Sequence, residues 1–497
     1  MNIVIRTDAS QNIGSGHVMR CLVLAEQLKA RGFYIQFACL PLRGNMISFI
    51  EAKGFAVVSL TPPLDEIQIL HDADYLGWLQ RTESEDAKDF LTHIKNASLV
   101  ITDHYAIGKK WQEIVKERLH CKLIAIDDLC RVHAADLILD QTLGRQVSEY
   151  DTAGKVLAGS EFALLNPRFA RLREKAFDKR LSRKGVRILL SMGGIDRPNA
   201  TFHALKQLKN KDFNVTVLLG PKAPHYYGVK SLSESCERVM HYDFCEDMAS
   251  LMLQSDLAIG APGTTSWERA CLGLPSIIIP LAENQSDIAN ELVKHKAALR
   301  VPLENIESSL LCSLEQLQRH WSSYYESNLS ICDGLGVYRV VEEIENILSN
   351  NLKQLSLRRA TEGDIVKVYE WQCHPNTRKY ALNPEVPTWE QHVRWMQKKI
   401  KRTEDYFYLI MDRSDERVGV IRLDRKSQSD YLISIFIHPN YYGQGIAYES
   451  LSLVGRVHPH VNIHATVLVD NIASKKLFKK AGYIQLNDEA FVRPLTE

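Results

Sequence analysis

The chain has 497 residues, 45% of them hydrophobic, with 61 Lys and Arg against 60 Asp and Glu. That length calls for more than one domain, and the composition is that of a chain with buried cores. A formal net charge of +1 excludes wholesale binding to nucleic acid or to an anionic membrane surface. Ten cysteines lie scattered without a CxxC pair, which argues for reduced thiols and against a disulfide framework or a zinc site. Met1–Arg6 carries no signal-peptide pattern, and no run reaches the roughly 18 apolar residues of a membrane-spanning helix. A cytoplasmic protein without membrane insertion is expected.

From 1 to 165, apolar strands alternate with helical patterns. Strands are expected at Ile3–Arg6, Tyr34–Cys39, Ala56–Leu60, Leu99–Thr102, Leu123–Ile126 and Leu137–Leu139. Such alternation argues for a parallel sheet covered by helices on both faces. The first strand runs into Ile13-Gly14-Ser15-Gly16-His17-Val18-Met19-Arg20, which opens a helix over Val18–Leu28. A strand, a glycine turn and a helix N-terminus leave backbone N–H groups pointing outward, so Gly14 and Gly16 suit an anionic ligand. His17 adds a side chain that can take a proton near neutral pH. The structural alternative is a plain βα turn. Several strands end in polar or acidic residues (Asp8, Asp103, Asp127, Asp140), and in open α/β sheets these ends face the ligand crevice. Each of them alone reads more readily as a helix cap or turn residue, whereas four such strand ends on one edge point to a site. A dinucleotide site is disfavoured, because the third glycine is missing and Tyr34–Cys39 does not end in an acid.

A second α/β unit spans 166–348. Its strands are expected at Val186–Leu190, Val215–Leu219, Leu257–Ile259 and Ser276–Ile279. The turn Ser191–Asp196 holds Gly194. The stretch Gly263-Thr264-Thr265-Ser266-Trp267-Glu268 sets backbone amides and hydroxyls before an apolar helix, as a diphosphate requires. Glu268 falls one turn in, where a carboxylate can accept two hydrogen bonds from a ribose diol. The structural alternative is an N-cap with a favourable acid in the first turn. Two such units imply two Rossmann-like lobes around a cleft.

Arg6–Ser10, Ile13–Arg20, Asp127–Leu129, Asp136–Gln141, Ser191–Asp196, Gly260–Glu268 and Glu283–Gln285 together resemble one family over residues 1 to 345. It is the UDP-2,4-diacetamido-2,4,6-trideoxy-β-L-altropyranose hydrolases of pseudaminic acid biosynthesis, which have the two-lobed GT-B fold and are similar to the peptidoglycan N-acetylglucosaminyltransferase. The resemblance implies attack by water on the anomeric carbon with inversion, departure of UDP, and no metal or cofactor. His17 falls at the family's catalytic histidine, as general base. Gly14, Gly16, Gly194, Gly263, Thr264, Thr265 and Glu268 are then expected to bind UDP. Asp8, Asn284 and Gln285 are expected to hold the hexose or orient His17.

Residues 349–354 are polar and follow a helical run, Val337–Leu348, so they read as a linker. A strand begins at Leu355–Ala360, and Tyr406–Met411, Arg417–Arg422 and Tyr431–Ile437 alternate like antiparallel strands. The turn His438–Ala447 sets glycines before a helix, where exposed amides suit a pyrophosphate. With Asn471–Phe478 and Ala481-Gly482-Tyr483, these features resemble the GNAT acetyltransferases over 355–497. The resemblance implies an α+β domain that takes acetyl-CoA as co-substrate, the pantetheine arm bonding the strand end Phe436-Ile437. Gly443, Gly445 and Ala447 are then expected at the pyrophosphate, with Asn471 and Ser474 on the following helix. Two positions depart from the family: Tyr442 replaces the usual Arg or Gln, and Phe478 stands where many members carry a tyrosine acid. His392, His438 and Tyr483 are open alternatives for that chemistry.

The two resemblances fit one reaction order, because the acetyltransferase makes the amide that the hydrolase substrate contains. A UDP-sugar and acetyl-CoA are the expected small-molecule partners. The rivals are a GT-B glycosyltransferase using a UDP-N-acetylhexosamine, an epimerase on the same fold, and a non-catalytic nucleotide-sugar sensor. His17 and Asp8 beside the cleft count against the sensor.

Overall fold

The architecture was described from a computed structural model, which covers residues 1–496 apart from 64–66, 70–73, 183–184 and 350–354, and only the backbone of Asn284. The linker expected at 349–354 therefore lies, from residue 350 on, outside the described residues. The chain divides into two units, Met1–Leu348 and Ser349–Glu497.

The first unit contains two parallel sheets. The first lobe has β1 (Asn2–Thr7), β2 (Tyr34–Cys39), β3 (Ala56–Ser59), β4 (Leu99–Asp103), β5 (Lys122–Ile126), β6 (Leu137–Asp140) and β7 (Lys155–Ala158), in the order β3-β2-β1-β4-β5-β6-β7. β1 is central because Ile3, Val4 and Ile5 are apolar on both faces and fully buried. The second lobe has β8 (Val186–Ser191), β9 (Phe213–Leu218), β10 (Val239–Tyr242), β11 (Leu257–Gly260), β12 (Ser276–Ile278) and β13 (Ala298–Arg300), in the order β10-β9-β8-β11-β12-β13. Each sheet reverses its winding once, between β1 and β4 and between β8 and β11. That switch is where an α/β sheet opens a crevice at its carboxyl edge.

Helix α1 (Gly16–Ala30) follows β1, α2 (Thr264–Cys271) follows β11, and α3 (Gly336–Leu348) ends the unit. Although α3 comes after the second sheet, it packs on the first lobe: Arg31 pairs with Glu342 at 2.9 Å and Lys155 with Glu343 at 2.7 Å. At the carboxyl edges, Arg197 Nη2 after β8 donates to Asn12 Oδ1 after β1 at 2.6 Å. The two switch-point edges therefore face each other.

The second unit has one mixed sheet of β14 (Ser356–Arg359), β15 (Tyr406–Met411), β16 (Arg417–Ser427), β17 (Asp430–Ile437), β18 (Asn462–Thr466), β19 (Ile484–Gln485) and β20 (Ala490–Arg493), in the order β14-β15-β16-β17-β18-β20-β19. Helices α4 (Ile365–Cys373) and α5 (Trp389–Lys401) cover the face carrying Phe407, Leu409 and Val420. Helix α6 (Ile446–Val457) lies on the other face, where His458 at its end bonds the Tyr408 hydroxyl at 3.0 Å. Helix α7 (Ile472–Lys480) follows β18. The β17–β18 pair is the one parallel pair in this sheet, and its register ends at Ile433↔Ala465. Beyond it, Ser434–Ile437 pair with β16 alone.

Candidate active site

In the first lobe the turn after β1 is shaped by Gly14, whose φ of +79° is a left-handed conformation that favours glycine. Gly14 N–H closes the turn onto Ser10 O at 3.0 Å, and the Ser10 hydroxyl accepts from the amides of Asn12 and Ile13. Gly16 then starts α1, whose first capping bond runs from Met19 N–H to Ser15 O. The amides of Gly16, His17 and Val18 precede it and stay outside the helical ladder.

His17 stands on this first turn, 8% exposed. Its Nδ1 lies 2.6 Å from Asp103 Oδ1, at the carboxyl end of β4 across the switch point. Arg20, one turn further along α1, donates from Nε and Nη2 to both oxygens of Asp103, each at 2.7 Å. Its Nη1 reaches Asp128 Oδ2 at 2.7 Å, which also accepts from the Tyr105 hydroxyl at 2.8 Å. The Tyr105 ring meets the imidazole edge-on with centroids 4.6 Å apart. Burial alone would push the Asp103 carboxyl up, but the charges of Arg20 and His17 offset it and hold Asp103 well below the usual carboxylate range. Asp103 is thus an acceptor only, so in the neutral imidazole Nδ1 carries the hydrogen toward it and Nε2 the lone pair.

The sequence marked Asp103 only as one of four acidic strand ends on the crevice edge, and gave Arg20, Asp128 and Tyr105 no role. The available signal was the polar end of β4 beside β1, which only the strand order connects to His17. Asp8 lies elsewhere. It is fully buried, paired with Arg6 Nη1 at 2.7 Å, and accepts from Leu40 N–H at 2.7 Å, with His104 Nε2 3.7 Å away. It braces the β1 end from beneath the loop.

In the second lobe, Gly194 and Gly263 lie at the ends of adjacent strands, β8 and β11, and space is open at the Cβ position of each. Gly263 N–H donates to Ser266 Oγ at 3.2 Å, and Thr264 and Thr265 open α2. The next residues anchor the helix: Trp267 is buried, and Arg269 Nη2 donates to Ala261 O at 3.1 Å and Ser266 Oγ at 3.0 Å. Glu268 is half-buried, and its carboxyl makes no hydrogen bond to the described residues. Burial pushes its carboxyl up to about 7 despite the neighbouring Arg269 charge. Gln285 Oε1 accepts from Leu281 N–H at 2.8 Å, holding its own loop, while the side chain of Asn284 lies outside the described residues. A further residue missed by the sequence is Phe244, 68% exposed just after β10 on this same carboxyl edge.

In the second unit, Gly443 and Gly445 have φ of +76° and +82°, and Gly445 caps α6, with Ala447 half-buried in its first turn. Phe436 and Ile437 lie on the part of β17 that has left β18, so one backbone edge there is unpaired in the sheet. Asn471 caps α7 by accepting from Ser474 N–H at 3.0 Å. The open alternatives separate. His392 is 1% exposed, with its ring nitrogens 3.0 Å from Gln372 Oε1 and Ile365 O. His438 Nδ1 accepts from Asn440 N–H. Tyr483 is buried edge-on against Phe478, and burial pushes its phenol up. Among the described residues no cluster of His, Cys, Asp or Glu could hold a metal ion, and no helix is long and apolar enough to cross a membrane.

Residues 354–484 match the acetyltransferase (GNAT) domain model, and 199–332 match the glycosyltransferase family 28 C-terminal domain model. An uncharacterized protein of Methanocaldococcus jannaschii is 25% identical over 97% of this chain and 96% of its own length. The UDP-2,4-diacetamido-2,4,6-trideoxy-β-L-altropyranose hydrolase of Campylobacter jejuni is 24% identical, over 59% of this chain and 97% of its own. The calicheamicin glycosyltransferase CalG4 is 14% identical, with a TM-score of 0.50 over 70% of this chain and 98% of that one, a likeness of fold alone. The chain joins two GT-B-like lobes, similar to such hydrolases, to a GNAT acetyltransferase-like domain. That is the architecture the sequence resemblances imply.

Proposed function

We propose that this fusion acts twice on one nucleotide sugar. Residues 355–497 acetylate the 4-amino group of a UDP-4-amino-4,6-dideoxy-N-acetyl-altrosamine from acetyl-CoA. Residues 1–348 then release the diacetamido sugar from UDP with inversion. The observation that carries the hydrolase reading is the His17–Asp103–Arg20 network at the switch point opposite Gly263–Glu268. With Nδ1 committed to Asp103, Nε2 is left to accept a proton from water. A positioned base of this kind contributes about 10²–10⁴-fold. The amides of Gly16–Val18 and Thr264–Thr265 are suited to the negative charge that builds on departing UDP. Glu268, once ionised, can take the ribose hydroxyls, and the exposed Phe244 offers an apolar face on the same edge. Inverting displacement by water needs no enzyme nucleophile.

The acetyl-transfer reading rests on the match to the GNAT model, the Gly443–Gly445 turn and the unpaired end of β17. A second reading, transfer of the sugar to an acceptor rather than to water, draws on the family 28 match at 199–332. Incubating the protein with the diacetamido UDP-sugar and following UDP separates them. Release without acceptor supports hydrolysis, whereas release only with an added acceptor favours transfer. Release undiminished in His17→Ala removes the base from its role.

A further inference from the structure

Acetyl transfer to an amine needs a base, and neither sequence resemblance names one; Phe478 at the position of the usual tyrosine leaves the acid open as well. The two faces of the sheet in the second unit differ in character. Its α6 face buries Tyr431, Ile433, Ile463 and Ala465. On the opposite face, alternation and register align Asp424, Leu432 and His464 in one row and Arg422 and Ser434 in the next. Ser434 is the first β17 residue past the last β17–β18 pair, where the strands part. His464 therefore sits one row from that fork, about 7 Å along the strand.

His464 Nε2 lies 2.9 Å from Asp430 Oδ1, and Asp430 also accepts from Asn462 Nδ2 at 3.1 Å and Ser427 Oγ at 2.7 Å. Burial works against the Asp430 charge, but these bonds offset it and hold the carboxyl below its ordinary value. The imidazole hydrogen belongs on Nε2, leaving Nδ1 with a lone pair on a side chain 38% exposed. The other charged groups facing this region are already committed. Asp424 is held by Lys399 Nζ at 2.6 Å and Arg422 Nε at 2.8 Å, and Arg422 stacks 5.1 Å from the Trp395 ring.

We propose that His464, oriented by Asp430, is the base that takes a proton from the acceptor amine. The inference rests on the acetyl-transfer reading above. The acceptor ammonium gives one proton to His464 Nδ1, directly or through one water. The freed amine forms a C–N bond to the acetyl carbonyl carbon as the C–S bond breaks. The second proton lost from nitrogen ends on the CoA sulfur, and the first leaves His464 for solvent. This route needs no tyrosine acid at Phe478.

The test uses the full chain with acetyl-CoA and the UDP-4-amino sugar, following CoA thiol. In His464→Gln, turnover is expected to fall about 10²-fold or more, with acetyl-CoA affinity by calorimetry and UDP release by residues 1–348 unchanged. The wild-type rate should rise with pH to a plateau, while the variant keeps climbing as solvent deprotonates the amine, and added imidazole should restore part of its rate. Asp430→Asn should give a smaller loss. An unchanged rate and pH profile in His464→Gln overturns the inference, and so does a loss fully explained by weaker acetyl-CoA binding. If the wild type consumes no acetyl-CoA with this amine, the acetyl-transfer reading itself falls and takes the inference with it.

Discussion

At His17 the chemistry turns on which ring nitrogen is open, and Asp103 decides it. Asp103→Asn keeps the shape but removes the charge that fixes the Nδ1–H tautomer, and it takes away one of the two carboxylates that hold Arg20. We expect UDP release to fall by about 10²-fold or more, with stability also reduced, but by less than the about 3–5 kcal/mol of a broken buried ion pair, because Asp128 still pairs with Arg20. His17→Ala should lose as much rate with little loss of stability or UDP affinity, so parallel rate assays and thermal melts distinguish the two. Glu268 makes a different prediction. Its folded value near 7 lies above the ordinary carboxyl value, so the folded state holds a proton that the unfolded chain releases. Its contribution to stability is full at pH 4 and is lost as pH rises through 7. Glu268→Gln should therefore match wild type in Tm at low pH and exceed it at pH 8, while binding UDP more weakly there. Equal Tm differences at both pH values would contradict that assignment. His17 and Glu268 could be read from their local motifs. Asp103 could be read as a crevice-facing strand end but not as the partner of His17, since 86 residues separate the two and only the β1–β4 pairing joins them.

At the scale of elements, the central strands of the two parallel sheets were legible because most of their side chains are apolar and buried. β1, β2, β4 and β8 fall within a residue or so of their expected bounds. The edge strands β7, β10 and β13 were not expected. Each is three or four residues long and part of its side chains face solvent, so no apolar run marks it. β16 extends to Ser427 rather than stopping at Arg422, because its far half carries the half-buried Asp424 and Arg425. The glycine turns are where local sequence spoke most clearly, since a left-handed residue at a helix start admits few side chains. Gly14→Ala and Gly445→Ala each force alanine into positive φ, at about 1–2 kcal/mol of strain. We expect Gly14→Ala to slow UDP release without touching acetyl-CoA binding. Gly445→Ala should raise the acetyl-CoA Kd and leave UDP release unchanged. A cross effect in either assay would break the assignment of one turn to each ligand.

For the whole molecule, the division at residues 348 and 349 places the residues proposed for each reaction in a unit of their own. The first unit has its own cores, and α3 ties its two lobes together by returning to the first. The second unit packs α4 and α5 on one sheet face and α6 on the other, with a core of its own. Each unit therefore has the means to unfold cooperatively by itself. Calorimetry of the full chain should then show two transitions rather than one. A ligand that binds only the folded state stabilises it by about 2.7 kcal/mol at a hundredfold excess over its Kd, and this acts on the unit that binds it. UDP should accordingly raise one transition and acetyl-CoA the other. One transition moved by both ligands would mean that the units fold as a single body, and the pairing of the two reactions would then need a structural coupling beyond shared chemistry. Two independently moved transitions instead require only that the acetylated sugar nucleotide leave one site and reach the other.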